Sequence, residues 1–310
     1  MNAIYVVKSG MLTTIQDLGR WGHQSHGVPV AGPMDPCSHR MANALVGNDA
    51  SAATLEITMV GPELEFGDER LVAVAGAEFD LTLDGRPVPN RTPFLVSAQS
   101  HLLFGPRQRG ARAYLAVSGG IAAPPVLGSR ATHLLSAMGG INGRALKSGD
   151  LVPLGDAPAV TTPHRSVDAI VPLPEGRARL RVVAGPQDAY FAADALDVLQ
   201  SAPYTITQHS DRMAFRLDGP RLAHARGADI ISDATPLGVM QVPASGQPIL
   251  LMADRQTTGG YAKIATVISA DLAIAGQLGP GDTIAFAVCS PREAMAALIA
   301  QERAIMKLVE

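Results

Sequence analysis

The chain has 310 residues, 17% of them charged and 47% hydrophobic, with a formal net charge of −3. This length suits two domains, each large enough to bury a core, and the nearly balanced charge excludes the basic footprint of a nucleic-acid-binding protein. No apolar run approaches the ~18 residues of a membrane span, the start of the chain lacks the pattern of a signal peptide, and the two cysteines are far apart. We therefore expect a cytoplasmic protein without a membrane or nucleic-acid partner.

Short apolar runs that end at Gly, Pro, Asp or Ser dominate the chain from its first residues. Their length and residue types predict β-strands. Asp84-Gly85 predicts a tight hairpin turn, because both positions of such a turn need positive φ. Many short strands with Gly and Pro turns favour barrels or sandwiches over a doubly wound sheet. The runs, in chain order, are IYVV, RLVAVAG, EFDLTLDG, FLVSA, HLLFG, RAYLAVSGG, RLRVVAG, YTIT, MAFRLDG, PILLMA, IATVIS and DTIAFAV.

Three helices are expected between these strands. The first follows Asp35, which can cap it, and has Pro36 at its first position. The second covers QDAYFAADALDVLQS. The third begins at Ser290-Pro291, where Ser290 and Glu293 have the spacing of a capping box.

A stretch rich in Pro, Thr and Ala, residues 155–176, interrupts the strand pattern and is predicted to be a linker. We accordingly predict an N-terminal domain over residues 1–160 and a C-terminal domain over residues 176–310. Both contain a Gly-Asp pair before an apolar strand, in LKSGDLVPLG and LGPGDTIAFA, which suggests two related barrels.

Four polar segments are candidates for a functional site. The first, TTIQDLGRWGHQSHGVPVAGPMD, is a Gly-rich loop that either is an ordered surface loop or binds a ligand. The second is the strand-to-helix turn GPQDAYF, where free N–H groups could receive an anion. The third, SDRMAFRLDGP, carries two arginines that either face solvent or bind a carboxylate. Their candidate residues are Gln16, Asp17, Arg20, His23, His26, Arg212 and Arg216.

The fourth segment, ADRQTTGGY, places charged and polar groups between two apolar runs. Burying such groups without partners costs ~1–3 kcal/mol each, so either the fold supplies partners or the groups face a ligand. They can converge with ISDATPLGVMQVP if the two segments form neighbouring strands, and two glycines let a ligand approach the main chain. The candidates are Gln241, Asp254, Arg255, Gln256, Thr257, Thr258 and Tyr261.

Several common motifs are missing from the sequence. It has no GxxxxGK[ST] phosphate loop, no HExxH or paired-cysteine zinc pattern and no GxSxG nucleophile elbow. The histidines show no metal-ligand spacing, and we expect no metal.

The chain carries, in this order, the motifs TTIQDLGRWGHQSHGVPVAGPMD, YLAVSGGI, VVAGPQ, RMAFRLDGP, GVMQVPASGQPILLMADRQTTGGYAKIATVISADL and GPGDTIAF. This ordered set of motifs resembles the family called allophanate hydrolase subunit 2, or KipA. This family includes the C subunit of bacterial 5-oxoprolinase and the carboxyltransferase portion of urea carboxylase. The resemblance implies two tandem cyclophilin-like β-barrels with few helices, and a KipI-like B subunit as partner.

The first function implied by the resemblance is that of the C subunit of a 5-oxoprolinase, which uses ATP with the A and B subunits to open the lactam of 5-oxoproline to glutamate. Alone, the chain is expected to be inactive. This chemistry needs an arginine for the substrate carboxylate, donors for the lactam oxygen and a carboxylate to move a proton. Arg20, Arg212 or Arg255 would bind the carboxylate, and Asp254 or Asp17 would move the proton. His26, Gln241, Gln256, Thr258 and Tyr261 complete the expected substrate site.

Two alternatives remain open from the sequence. The chain could transfer a carboxyl group from carboxybiotin, held on a separate carrier, to urea or another small amide, with catalysis mainly by positioning. It could instead be a non-enzymatic antagonist that binds a KipI-like protein.

Overall fold

A computed structural model describes residues 2–156 and 167–308 and divides the chain into two compact units. Unit 1 consists of the chain up to Arg20, Ala31–Leu173 and the C-terminal residues from Ala304. Unit 2 consists of Trp21–Val30 and Pro174–Arg303. The predicted linker includes residues 157–166, which lie outside the described residues, so the predicted domain boundaries stay a prediction.

Unit 1 is built on a nine-stranded sheet that curls into a half-barrel. Its central path runs β2-β3-β8-β4-β1-β9, and the long strand β5 pairs with β6, β7 and β8. The Asp84-Gly85 turn joins β5 to β6 with φ values of 49° and 78°, as the hairpin prediction requires. The strands are β1 (Ala3–Lys8), β2 (Leu12–Gln16), β3 (Thr54–Thr58), β4 (Glu63–Phe66), β5 (Arg70–Leu83), β6 (Arg86–Val88), β7 (Phe94–Val96), β8 (His101–Val117) and β9 (Leu151–Pro153).

The core of unit 1 lies inside this curl, because alternate residues of a strand point to the same face. Ile4, Leu55, Phe66 and Leu115 belong to it and are fully buried. A second apolar cluster packs helix α1 (Pro36–Leu45) against the other face of β5 and β8. The carboxylate of Asp35 accepts a hydrogen bond from Ser38 N at 2.9 Å and caps α1 as predicted.

Unit 2 contains a closed seven-stranded barrel of order β10-β17-β14-β15-β12-β11-β18, in which β18 also pairs with β10 in parallel. The strands β13 and β16 form a separate two-stranded ribbon. The strands are β10 (Arg177–Ala184), β11 (Tyr204–Ile206), β12 (Ala214–Asp218), β13 (Asp229–Ala234), β14 (Val239–Gln241), β15 (Ile249–Leu251), β16 (Thr258–Tyr261), β17 (Lys263–Val267) and β18 (Thr283–Val288).

Besides α1, the described residues form the helices α2 (Ala195–Ser201), α3 (Leu272–Gly276) and α4 (Pro291–Met306). Ser290 Oγ and the Glu293 carboxylate exchange hydrogen bonds with each other's backbone N–H at the start of α4, so the predicted capping box is present. The second predicted helix is shorter than expected, because its N-terminal part forms a 3-10 turn at Asp188–Tyr190.

The mainly β architecture with few helices is confirmed. The two units differ in closure: unit 2 is a full barrel, whereas unit 1 is a half-barrel. No helix in the described part of the chain is both long and apolar enough to cross a membrane.

Candidate functional site

The aspartate of ADRQTTGGY forms a buried ion pair within unit 2 with an arginine of the third polar segment. Arg212 Nε and Nη2 donate to the two carboxylate oxygens of Asp254 at 2.9 and 3.1 Å. Both side chains are buried, with 4% and 7% of their surfaces exposed. In a bidentate pair of this kind, the N–H donors of the arginine bind the carboxylate oxygens of the aspartate. The arrangement therefore favours a structural role for both residues, although each was a candidate for the substrate site.

Thr235 contacts the next three residues of ADRQTTGGY. Its carbonyl oxygen accepts a hydrogen bond from Arg255 Nε at 2.8 Å, and its hydroxyl donates to the carbonyl oxygen of Gln256. Its N–H donates to the carbonyl oxygen of Thr257 at 3.1 Å. One buried threonine therefore fixes the direction of the Arg255 side chain and the main chain that follows it.

The guanidinium of Arg255 differs from that of Arg212 in its partners. Within the described part of the chain, its one hydrogen bond is the Nε contact to Thr235, and it has no ion pair. Arg255 is only 9% exposed, and burial lowers its pKa to about 10 even though the charge of Asp254 opposes this change. A poorly solvated cation with unused N–H donors is suited to bind an anionic group, above all a planar carboxylate.

Arg255 lines a cavity of about 410 Å³, called here the Arg255 pocket. Its walls combine apolar groups with hydroxyl and amide groups, which is typical of sites for small molecules. The lining residues are Trp21, Gln24, Val30, Ala234, Thr235, Pro236, Leu237, Arg255, Gln256 and Thr257. The Gly-rich loop thus contributes Trp21 and Gln24 to the pocket.

Two glutamine amides meet beside Arg255. Gln256 Nε2 donates to Gln241 Oε1 at 3.3 Å, and Gln241 Nε2 donates to the carbonyl oxygen of Tyr261 at 3.5 Å. Gln256 Oε1 is buried without a hydrogen-bond partner among the described residues. A buried acceptor left unsatisfied is costly, so this oxygen is placed to accept from a ligand N–H.

The amide pair also faces a second cavity of about 390 Å³, called here the Tyr261 pocket. Gln256 lines both pockets. A Cβ atom on Gly259 would lie 2.5 Å from Gln241 Nε2, so a larger residue there would displace that amide. The residues lining the Tyr261 pocket include His209, Asp211, Arg216, Gln241, Gln256, Gly259, Gly260 and Tyr261.

Asp17 and Arg20 of the first polar segment have their partners within unit 1. The carboxylate of Asp17 accepts from Gly19 N at 2.9 Å, from Ser129 Oγ at 2.6 Å and from Arg130 N. Arg20 is 1% exposed and donates to the carbonyl oxygen of Ala131. Both arrangements favour structural roles.

The remaining candidates in unit 2 have different positions. His26 is exposed at the end of a 3-10 turn and is not among the residues that line the Arg255 pocket. Thr258 is exposed at the start of β16, whereas Tyr261 lines the second cavity. The structure therefore brings together Arg255, Gln256, Thr257, Gln241 and Tyr261 from the predicted set, and Arg216 lines the same cavity as Tyr261.

The predicted anion site at GPQDAYF lacks free donors in its first turn. Gly185 N donates to the carbonyl oxygen of Ile264 at 2.7 Å, Asp188 N donates to that of Gly185 at 3.3 Å, and Ala189 N donates to Asp188 Oδ1 at 2.7 Å. With these groups occupied, the turn does not fit a nucleotide phosphate.

Sequence reasoning missed Thr235 and the buried Lys263. Lys263 is 1% exposed, and its Nζ lies 2.7 Å from Asp233 Oδ2. A single lysine in the run AKIATVIS resembles the outward-facing residue of an alternating strand, and no local signal marks it as buried. Thr235 lies in the segment ISDATPLGVMQVP, which is predicted to neighbour ADRQTTGGY. Its place in that segment is the signal that could have identified it as a site residue.

Comparisons with known proteins show what this chain is similar to. The chain is 38% identical to the C subunit of the 5-oxoprolinase of Escherichia coli over 96% of this chain and 95% of that protein. It is 33% identical to the urea amidolyase of Saccharomyces cerevisiae over 99% of this chain but only 18% of that protein.

A solved structure shows the same fold. The crystal structure of the K. lactis urea amidolyase matches 99% of this chain with a TM-score of 0.93 at 32% identity, and the match spans 20% of that much longer chain. The family model for the carboxyltransferase domain, subdomains A and B, matches residues 26–288. The chain therefore belongs to the carboxyltransferase domain family, which confirms the resemblance that its motifs carry.

Proposed function

We propose that this chain is the C subunit of an ATP-dependent 5-oxoprolinase that works with the A and B subunits in the cytoplasm and is inactive alone. The observation that carries the proposal is the Arg255 pocket. A buried arginine with unused donors would bind the carboxylate of 5-oxoproline, and the adjoining Gln241 and Gln256 amides would bind its lactam group. Gln256 lines the same pocket as Arg255 and is hydrogen-bonded to Gln241, so one substrate would contact both the arginine and the amide pair.

The lactam group offers one N–H donor and one carbonyl acceptor. Gln256 Oε1, which is buried and unpartnered among the described residues, would accept from the lactam N–H. Glutamine N–H groups near the lactam oxygen would stabilise the negative charge that grows there when the amide is activated. This chain would then contribute mainly binding and orientation.

ATP is expected to bind with the partner subunits. The sequence has no phosphate loop, and the GPQDAYF turn uses its first N–H groups internally. We therefore assign no step of nucleotide chemistry to residues of this chain.

The test compares Arg255→Met with Arg255→Lys and Arg221→Met in the complex assembled with the A and B subunits. Arg221 is a matched control, since it is an exposed arginine of unit 2 that lines neither pocket. Glutamate release from 5-oxoproline and ATP is measured. A hydrogen bond to a charged group contributes about 1.5–3 kcal/mol, so Arg255→Met should raise KM by about 10- to 150-fold, with a smaller rise for Arg255→Lys.

Inhibition by 2-pyrrolidinone, which is the same lactam without the carboxylate, provides a second readout. Its affinity should be equal for the wild-type complex and Arg255→Met. A wild-type complex that releases no glutamate, or an Arg255→Met complex with normal KM, would contradict the proposal.

A second function is favoured by the same amide pair. Urea has N–H donors for Gln256 Oε1 and a carbonyl for the glutamine N–H groups, so carboxyl transfer from carboxybiotin to urea is the alternative. Urea has no carboxylate, however, and would leave Arg255 without a partner. Urea carboxylation with a biotin carrier that is insensitive to Arg255→Met would support this alternative.

A further inference from the structure

Lys263 and Asp233 form an ion pair of unequal exposure beside the candidate site. The Lys263 side chain is 2% exposed and that of Asp233 is 54% exposed, with 2.7 Å between Nζ and Oδ2. The hydrogen bond from Lys263 is the main cause that lowers the pKa of Asp233. A buried ammonium is costly without a partner, so Lys263 holds the strand that carries Asp233 in place.

An irregularity in the β13–β16 ribbon directs the Asp233 side chain toward Lys263. Asp229 lies opposite Tyr261 and Asp233 lies opposite Gly259, so β13 has two more residues than β16 over this interval. Such bulges change the direction of a side chain and are common beside active sites. Ile231 lies within the bulge and is 94% exposed, which shows that the bulge itself packs against little of the chain.

The pair also lies on the face of the barrel that carries the amides. Lys263 is the partner of Gln241 in the β14–β17 ladder. The side chains of both residues contact the same ribbon, Gln241 at the carbonyl oxygen of Tyr261 and Lys263 at Asp233. Asp233 lies two residues before Thr235, which receives the Arg255 Nε hydrogen bond.

We propose that Lys263 and Asp233 are positioning residues that fix the end of β13, and through Thr235 fix the direction of the Arg255 guanidinium. This inference rests on the proposed function, since it assigns to the pair a role in binding the substrate carboxylate. Neither residue is among those that line the two pockets, so the pair acts through Arg255.

The kinetic test uses Asp233→Asn and Lys263→Met in the complex with the A and B subunits, and Asp229→Asn as the matched control. Asp229 is an exposed carboxylate on the same strand. Small errors in placing a binding group have large effects, so we expect both pair variants to raise KM for 5-oxoproline about tenfold with kcat changed less than about twofold. Asp229→Asn should behave as the wild type.

A double-mutant cycle distinguishes a role of Asp233 in positioning Arg255 from a general loss of fold stability. If Asp233 acts through Arg255, Asp233→Asn should raise KM no further when Arg255 is already methionine, because interacting residues are non-additive. Additive effects would overturn the proposal, as would a normal KM in Asp233→Asn. A lowered thermal midpoint with normal KM would mean that the pair only stabilises the fold.

A measurement on the purified chain is independent of the substrate. The Arg255 Nε–H resonance, assigned by its loss in Arg255→Met, should exchange with solvent about tenfold faster in Asp233→Asn than in the wild type or Asp229→Asn, because its hydrogen bond to Thr235 is weakened. Unchanged exchange overturns the positioning role. A wild-type complex that does not open 5-oxoproline contradicts the proposed function. In that case the exchange rate of the Arg255 Nε–H still tests whether Asp233 positions Arg255.

Discussion

Asp254→Asn tests whether the first charge of ADRQTTGGY is structural. The substitution keeps the shape of the side chain and removes the charge that pairs with Arg212. Breaking a buried ion pair from one side costs about 3–5 kcal/mol. Because asparagine still accepts one hydrogen bond, we expect the lower end of this range. At about 3 °C per kcal/mol for a unit of this size, the thermal midpoint should fall by about 10 °C.

The assay is thermal unfolding of Asp254→Asn, Arg212→Met and the double variant, followed by circular dichroism. The double variant should be more stable than the sum of the two single losses predicts, since it leaves no buried charge behind. Asp218→Asn is the control, because Asp218 is exposed on β12 of the same barrel. The reasoning would be refuted by an Asp254→Asn complex with an unchanged midpoint and no turnover, the behaviour of a residue that moves a proton.

Two further predictions concern other parts of the molecule. A Cβ atom on Gly259 would lie 2.5 Å from Gln241 Nε2, so Gly259→Ala should lower kcat/KM for 5-oxoproline about tenfold. It should lower the free energy of unfolding by only about 1 kcal/mol. Unchanged kinetics would mean that the Gln241 amide does not contact the substrate. Burial lowers the pKa of His39 to about 4, below the ~6.5 of an unfolded histidine, so the unfolded chain binds the proton first. The contribution of neutral His39 to the free energy of unfolding is complete above pH ~6.5, and about 2–3 kcal/mol of it is lost as the pH falls toward 4. Urea unfolding at pH 7 and 4.5 should therefore show a smaller loss of stability in His39→Gln than in the wild type. Equal losses in the two proteins would contradict this.

Local signals in the sequence predicted local structure well. The cap at Asp35, the capping box at Ser290 and the Asp84-Gly85 turn each depend on residues close in the chain, and all three are present. The mainly β fold followed from the spacing of short apolar runs. The half-barrel of unit 1 was not predictable in this way, because closure depends on which distant strands pair.

The roles of the arginines depended on contacts that the sequence does not display. Arg212 and Arg255 looked equivalent as carboxylate-binding residues, but Asp254 pairs with Arg212, 42 residues away, and not with its neighbour Arg255. Residue type alone does not distinguish the two cations, whereas the pairing of Arg212 with Asp254 in the fold does. For the same reason Lys263 was missed, since its burial depends on the β13–β16 ribbon.

The closure of the unit 2 barrel has a consequence for how this unit folds. Strand β18 pairs with β10 in parallel and with β11 in antiparallel orientation. A nascent chain that has not yet reached Thr283–Val288 therefore exposes the edges of both strands, and unpaired edges invite association with other chains. We expect the barrel to close late in synthesis, because long-range pairing has to wait for its last strand. Chains truncated before β18 should consequently aggregate rather than accumulate as a smaller folded unit.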